Sequence, residues 1–296
     1  MKIDGVFSGG GVKAFAYIGA LEAVEQAGIK FERVAGSSAG ALIAGLIAAG
    51  YQASELKQKV INLDLTDFLD GSKMERFLPF LKWLSLYHSL GLYKGKKFEG
   101  WLAQLLADKG IHTFSDLDKD KLKLTVADLT LKRLIIIPDD LEQVFGVAAD
   151  RFSVAKAIRM SASLPYFFKP EKLYDQEAKK HLLVDGALLS SLPMWLYKRA
   201  NQKLVRPVIG FQLQSKENYL MHTKSDNALQ FTKTLITTMQ HAQDLKYIAK
   251  YDQPNIVFLD TDEVNVADFG IDKQERLALI ANGKKKTQVY LKKQFQ

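Results

Sequence analysis

Gly36-Ser37-Ser38-Ala39-Gly40 stands between the short β-prone pair Val34-Ala35 and an apolar run that continues from Ala41 to Ala49. A G-x-S-x-G at a strand-to-helix junction puts its central serine on a sharp, strained turn. The flanking Gly36 and Gly40 leave room for that turn and for close approach of helix and strand. Ser38 then sits at a helix N-terminus, where the dipole and free N–H groups favour a developing negative charge. The same five residues would equally serve as a plain βα turn with a serine cap, so the pattern alone leaves both readings open.

Working outward, residues 3–7 read as a short buried strand that runs into Ser8-Gly9-Gly10-Gly11. Phe15, Ile18, Leu21 and Val24 then recur at helical spacing, with Glu22 and Glu25 on the polar side and Gly28 as a left-handed stop. Strand, glycine turn and helix thus occur twice within fifty residues, which predicts a parallel pair with a right-handed crossover and an α/β fold. Further on, Ser54 predicts the N-cap of a helix reaching about Leu63. Strands are expected over 122–127 and 134–137, the second ended by Pro138. Ser153 caps a helix running through Arg159 and stopping before Pro165. A strand over 182–184 ends in Asp185-Gly186. The last strands are expected over 208–213 and 256–259, separated by a helix over 228–251, and a final helix covers 274–291 with a break at Gly283. With no repeat or linker in view, one domain over 1–296 is expected.

Composition excludes several kinds of chemistry. The 296 residues contain no cysteine, which rules out disulfides, thiol catalysis and cysteine-held zinc. The formal net charge of +8 favours anionic partners, an anionic lipid surface or nucleic acid, without choosing between them. No nucleic-acid recognition motif is visible. The first residues leave no room for a signal peptide, and the longest apolar run, 39–50, is too short to span a bilayer, so a cytoplasmic protein is expected. Lys94, Lys96 and Lys97, with Lys284, Lys285 and Lys286, form the local basic clusters.

The triple glycine leaves several backbone N–H groups unshielded and suited to an anion. The G-x-x-x-x-G-K-[ST] phosphate loop is absent, and G-x-G-x-x-G fails at Ala14. An oxyanion hole for a Ser38 reaction fits better, beside the plain glycine turn. A serine nucleophile needs a base. The five histidines, His88, His112, His181, His222 and His241, include none in a strand-end turn, and most read as surface residues. Asp185 follows an apolar strand and precedes Gly186, so its carboxylate emerges at a strand's carboxyl end, where crevices of open sheets form. As a general base it would need burial to raise its pKa; as a plain turn cap it would need nothing.

Taken together, Gly9-Gly10-Gly11-Val12-Lys13, Gly36-Ser37-Ser38-Ala39-Gly40 and Asp185-Gly186-Ala187 resemble the patatin-like phospholipases. The stretch from Ala157-Ile158-Arg159-Met160-Ser161-Ala162-Ser163-Leu164-Pro165 to Phe168 and Pro170 is similar to that family's segment before its aspartate. The likeness covers roughly residues 3–195. It implies a three-layer α/β/α fold with a mainly parallel central sheet, and lipid acyl hydrolysis through an acyl-enzyme without metal or other cofactor. It also implies a Ser–Asp dyad of Ser38 and Asp185, with Gly9, Gly10 and Gly11 as the oxyanion hole. Ala14 and Ala187 stand where the family often has glycine, which touches substrate fit rather than the dyad. Lys13 occupies the family's basic position, where it could steady the loop, draw an anionic head group, or serve as an ordinary structural charge.

The aromatic and leucine-rich stretch 65–106 reads either as a lipid-contacting lid or as core. Met74, Phe77, Leu78, Leu81, Leu84 and Tyr87 recur at helical spacing near Lys73, Arg76 and Lys82. The expected partners are therefore a lipid or acyl ester and, transiently, an anionic membrane surface. The competing reading is a non-catalytic basic α/β module that holds a phosphorylated ligand or lipid head group at the glycine loop.

Overall fold

The computed structural model describes residues 1–70, 90–197, 206–214, 234, 238, 255–261 and 268–295. Strand β1 (Lys2–Phe7) is buried at every residue but the first, as a central parallel strand covered on both faces must be. It pairs in parallel with β2 (Lys30–Ser37) on one side and with β9 (Val208–Gln214) on the other. Beyond β9 the sheet continues in parallel to β10 (Ile256–Asp260). Beyond β2 it continues in parallel to β4 (Leu122–Asp128). Three antiparallel strands complete it: β5 (Arg133–Ile137) and β8 (Lys180–Asp185) on β4, and β7 (Glu171–Tyr174) on β8. A separate small parallel pair, β3 (Gly91–Tyr93) with β6 (Tyr166–Phe168), was not anticipated. The fold is α/β, with a mostly parallel central sheet flanked by helices.

The pairing on β4 positions everything that follows. β5 occupies one edge of β4 from Leu124 to Asp128. On the opposite edge β2 pairs with residues 122–125, and β8 pairs with residues 126–128. β2 and β8 run in opposite directions, so their carboxyl ends meet head-on over the middle of β4. Ser37 stands opposite Thr125, and Asp185 stands opposite the next residue, Val126. Asp185 was expected at the end of a strand in a parallel sheet; β8 is antiparallel to β4, and it reaches the same place because it enters from beyond the end of β4.

Helix α1 (Phe15–Gln26) is buried on nearly every side, including Ala16, Tyr17, Ala20 and Ala23. The cause is the C-terminal helix, which lies across it. A methyl group on Gly19 would stand 1.8 Å from the Ile280 carbonyl oxygen, and one on Gly283 would stand 1.9 Å from that of Ala16. The glycines therefore let two backbones touch, and the predicted break at Gly283 does not occur. In chain order the other helices are α2 (Ala39–Ala48), α3 (Ala53–Val60), α4 (Lys96–Ala107), α5 (Leu141–Phe145) and α6 (Val154–Ser161), before that last helix, α7 (Lys273–Phe295). Ser153 caps α6 as expected, accepting from the Lys156 amide. Ser54 does not cap α3: Gln52 does, in a reciprocal box with Glu55.

Ile3, Phe7, Val34, Leu124 and the helices α1, α2 and α6 contribute to the larger core cluster. Val6 and Ala35, one residue out of phase, belong to a second cluster with Leu192, Met194 and Tyr197. The alternation assigns the two clusters to opposite faces of the sheet. At the described ends of the 65–106 stretch, Phe68 and Phe98 are buried, their rings 5.4 Å apart. Its middle, 71–89, lies outside the described residues, as does the expected helix 228–251 except for Thr234 and Thr238, both helical.

Candidate active site

Ser38 ends the turn after β2 with φ 57° and ψ −126°, a left-handed backbone that a side chain adopts only at a cost of about 1–3 kcal/mol. The glycines around it explain how the turn is held. A methyl group on Gly36 would stand 2.2 Å from the Gly40 carbonyl oxygen, and one on Gly40 would stand 2.1 Å from that of Phe7. No larger residue fits either position, so β1, the turn and α2 are packed backbone to backbone. Gly186 is equally confined: a methyl group there would stand 2.1 Å from the Thr125 carbonyl oxygen.

The Ser38 hydroxyl donates to Asp185 Oδ2 at 2.5 Å. Asp185 is 1% exposed and Ser38 9%. The other carboxylate oxygen, Oδ1, accepts the Ala187 amide at 2.8 Å. Burial pushes the Asp185 pKa up to about 6, against the pull of the hydrogen bonds from Ser38 and Ala187. The cost of burying the charge therefore outweighs two good hydrogen bonds, as expected where, among the described residues, no cation pairs with the carboxylate.

Several polar residues that the sequence reading did not single out hold this pair. Ser161 Oγ accepts the Ser38 amide at 3.0 Å and donates to the Thr125 carbonyl at 2.7 Å. Ser37 Oγ donates to the Ser190 carbonyl at 2.6 Å and meets Thr125 Oγ1. Arg159 is fully buried. Its guanidinium donates to the carbonyls of Lys94, Gly95 and Lys169 and to Ser163 Oγ. It thereby fastens the segment before Asp185 to the start of α4. Ser161, Ser163 and Arg159 all lie in the family-like stretch, but what each of them touches is set by distant carbonyls.

At the glycine loop, Ser8 Oγ accepts the Leu213 amide at 3.1 Å, and Tyr17 donates to the Ser8 carbonyl at 2.7 Å. Gly9 lies against the Ser38 turn: a methyl group there would be 3.2 Å from Ser38 Cβ and 2.8 Å from Ala187 Cβ. Its amide donates to the Ser191 carbonyl at 3.3 Å. Among the described residues, no hydrogen bond engages the amides of Gly10 and Gly11. Lys13 is buried rather than solvated.

Of the histidines, His88, His222 and His241 lie outside the described residues. His112 is exposed. His181 is buried, with Nδ1 2.8 Å from Asp128 Oδ2. It lies four residues before Asp185 on β8, about 13 Å along the strand, and so is not the partner of Ser38. The period-two alternation His181, Leu183, Asp185 would have assigned it to the buried face. Among the described residues no group of His, Asp and Glu is arranged to hold a metal, and no helix is long and apolar enough to cross a membrane.

Residues 5–196 match the family model for patatin-like phospholipases. The chain belongs to that family. Patatin-like phospholipases are lipid hydrolases, and the match takes in the glycine loop, the Ser38 turn and Asp185. The chain is 44% identical over 292 residues to the uncharacterized protein YqhO of Bacillus subtilis, covering 99% of both. It is 29% identical over 190 residues to the neuropathy target esterase sws of Drosophila grimshawi, covering 64% of this patatin-like chain and 11% of that protein. Among solved structures, VipD from Legionella pneumophila superposes with a TM-score of 0.57 at 17% identity, over 98% of this chain and 67% of that one. ExoU from Pseudomonas aeruginosa, solved with SpcU, gives 0.55 at 16% identity, over 99% of this chain and 53% of ExoU. At such identities the likeness is one of fold, and this patatin-like chain spans about half of ExoU.

Proposed function

We propose that this protein is a carboxylic ester hydrolase of acyl lipids, with Ser38 as nucleophile and Asp185 as its base. The observation that carries the reading is the 2.5 Å hydrogen bond from the Ser38 hydroxyl to a buried carboxylate. Ser38 Oγ attacks the acyl carbonyl as its proton passes to Asp185 Oδ2. The carbonyl oxygen becomes negative and is received by the amides of Gly10 and Gly11. Gly9, whose amide already serves Ser191, instead lets the loop lie against the nucleophile. Collapse of the tetrahedral species breaks the ester bond, and Asp185 returns the proton to the leaving alcohol. Water then gives its proton to Asp185 and its oxygen to the acyl carbon, which frees the acid and restores Ser38. A base with a pKa near 6 is ionised at neutral pH and still accepts a proton in the transition state, which an ordinary aspartate does poorly.

A fluorophosphonate probe tests the nucleophile. It should label the wild type and leave Ser38→Ala unlabelled. Incubation with a mixed lipid extract, followed by mass spectrometry, should release fatty acid with the wild type alone. Equal labelling of the two proteins would remove Ser38 from the reaction.

A further inference from the structure

The hairpin between β4 and β5 has an exposed tip, Leu129-Thr130-Leu131-Lys132-Arg133. Leu129 is 46% and Leu131 43% exposed. A single exposed leucine on a surface means little. Here the turn is built to present two. Asp128 Oδ1 accepts the amides of Thr130 and Leu131, at 2.8 and 3.0 Å, which closes the turn beneath them. The neighbouring hairpin, between β7 and β8, ends beside it. The Leu129 amide donates to the Leu182 carbonyl at 2.9 Å, and the Leu182 amide donates to Thr130 Oγ1 at 3.0 Å. The buried contact of His181 with Asp128 joins the two from below. This second tip adds Tyr174, 54% exposed, and the exposed Lys172, Lys179 and Lys180. Lys132, Arg133, Lys172 and Lys180 form no ion pair among the described residues. Asp175 turns its carboxylate to the amides of Glu177 and Lys179 and towards His181, and Glu177 pairs with Lys179.

The place of this surface is as specific as its chemistry. Val126 of β4 stands opposite Asp185, and Leu129 comes three residues later in the direction in which β2 delivers Ser38. At 3.3 Å per residue Leu129 lies about 10 Å, and Lys180 at the base of the second tip about 16 Å, past the level of the Ser38–Asp185 pair, at the same end of the sheet.

We infer that the paired tips, residues 129–133 and 172–180, are the surface on which this protein docks to an anionic lipid bilayer. The inference rests on the hydrolase reading proposed above and says where the lipid is met. The leucines and Tyr174 enter the head-group and acyl boundary, while the surrounding cations pair with lipid phosphates. Apolar burial and charge act together at such a boundary. A protein partner would satisfy the leucines equally. The four tip cations that form no ion pair among the described residues, on a chain of net charge +8, match a continuous anionic surface better.

The test is run in a Ser38→Ala background, so that binding is read without hydrolysis and stays separate from the labelling experiment. Co-sedimentation compares vesicles of phosphatidylcholine alone with vesicles that also contain phosphatidylglycerol. Lys132→Glu with Arg133→Glu should lower partition onto the anionic vesicles by about tenfold or more, since each cation near the surface contributes about fivefold. Leu129→Ser with Leu131→Ser should weaken partition on both. Because the chain has no cysteine, Leu131→Cys also accepts a single environment-sensitive fluorophore. Its emission should shift to the blue on anionic vesicles, whereas that from Val289→Cys, on the exposed face of α7 at 61% exposure, should not. Absence of partition by the parent protein, equal partition of parent and variants, or no shift at position 131 on bound protein would each overturn the docking surface. A protein that docks as described but takes no fluorophosphonate label as wild type would instead overturn the hydrolase reading alone.

Discussion

Asp185→Asn should make the protein more stable and nearly inactive, with the gain in stability present only above about pH 4. In the folded chain Asp185 holds its proton up to about pH 6, whereas an unfolded aspartate releases it near 3.8. The folded state thus binds the proton more tightly. The raised pKa favours the fold fully below pH 3.8, and that contribution is lost as pH rises to about 6. Above this the wild type carries the whole cost of a buried carboxylate, about 3 kcal/mol for the interval between the two values. Asparagine has no charge to bury, and its amide oxygen can still accept the Ala187 amide. The variant should match the wild type at pH 4 and exceed it by up to about 3 kcal/mol at pH 8. Unfolding entropies of about 2.1 cal/mol/K per residue convert this to a rise in Tm of about 5 °C for a chain of this length. Thermal and urea unfolding at pH 4, 6 and 8 read the stability. Turnover of a soluble acyl ester should fall by about 10²–10⁴-fold, the loss of a general base. For the wild type, turnover should rise with pH through about 6 as the base ionises. A stability difference that stays flat with pH, or a variant that turns over near the wild-type rate, would refute the reasoning.

Arg159→Lys keeps a positive charge but cannot span the three carbonyls and the serine hydroxyl that the guanidinium reaches. Urea unfolding should show a loss of about 3 kcal/mol, since a buried charge is left short of partners; a loss below about 1 kcal/mol would mean the clamp contributes little. His181→Asn should cost about 1–3 kcal/mol through its lost contact with Asp128. Turnover of a soluble ester should stay within about threefold, and a fall of a hundredfold would put the base at His181 instead of Asp185.

Much of the first fifty residues is legible by eye, because their interactions are local. Strand, glycine turn and helix follow from β-prone and apolar runs broken by glycine, and Ser153 caps its helix through an amide three residues away. A residue that answers to something distant is not legible in this way. Gly283 resembles a helix breaker, yet it is present because Ala16 of another helix needs the space. Ser54 is the better capping residue by type, but Gln52 and Glu55 satisfy each other first. The burial of His181 is hinted at by its alternation with Asp185, but its partner Asp128 lies 53 positions away in the chain. The β3–β6 pair joins segments more than seventy residues apart, each too short to announce itself.

By itself, the order of residues determined which side chains carry reactive groups and which short stretches turn sharply: Ser38 between two glycines, three glycines after a strand, Asp185 after an apolar run. What only the tertiary structure decided is that the ends of β2 and β8 share one edge of β4, so that a hydroxyl and a carboxylate 147 positions apart come within 2.5 Å. Strand pairing is a hydrogen-bond register between distant backbones, and no local periodicity encodes it. Burial is equally collective: the rise of Asp185 to about 6 comes from the residues that exclude water around it, and its neighbours in the chain do not reveal it.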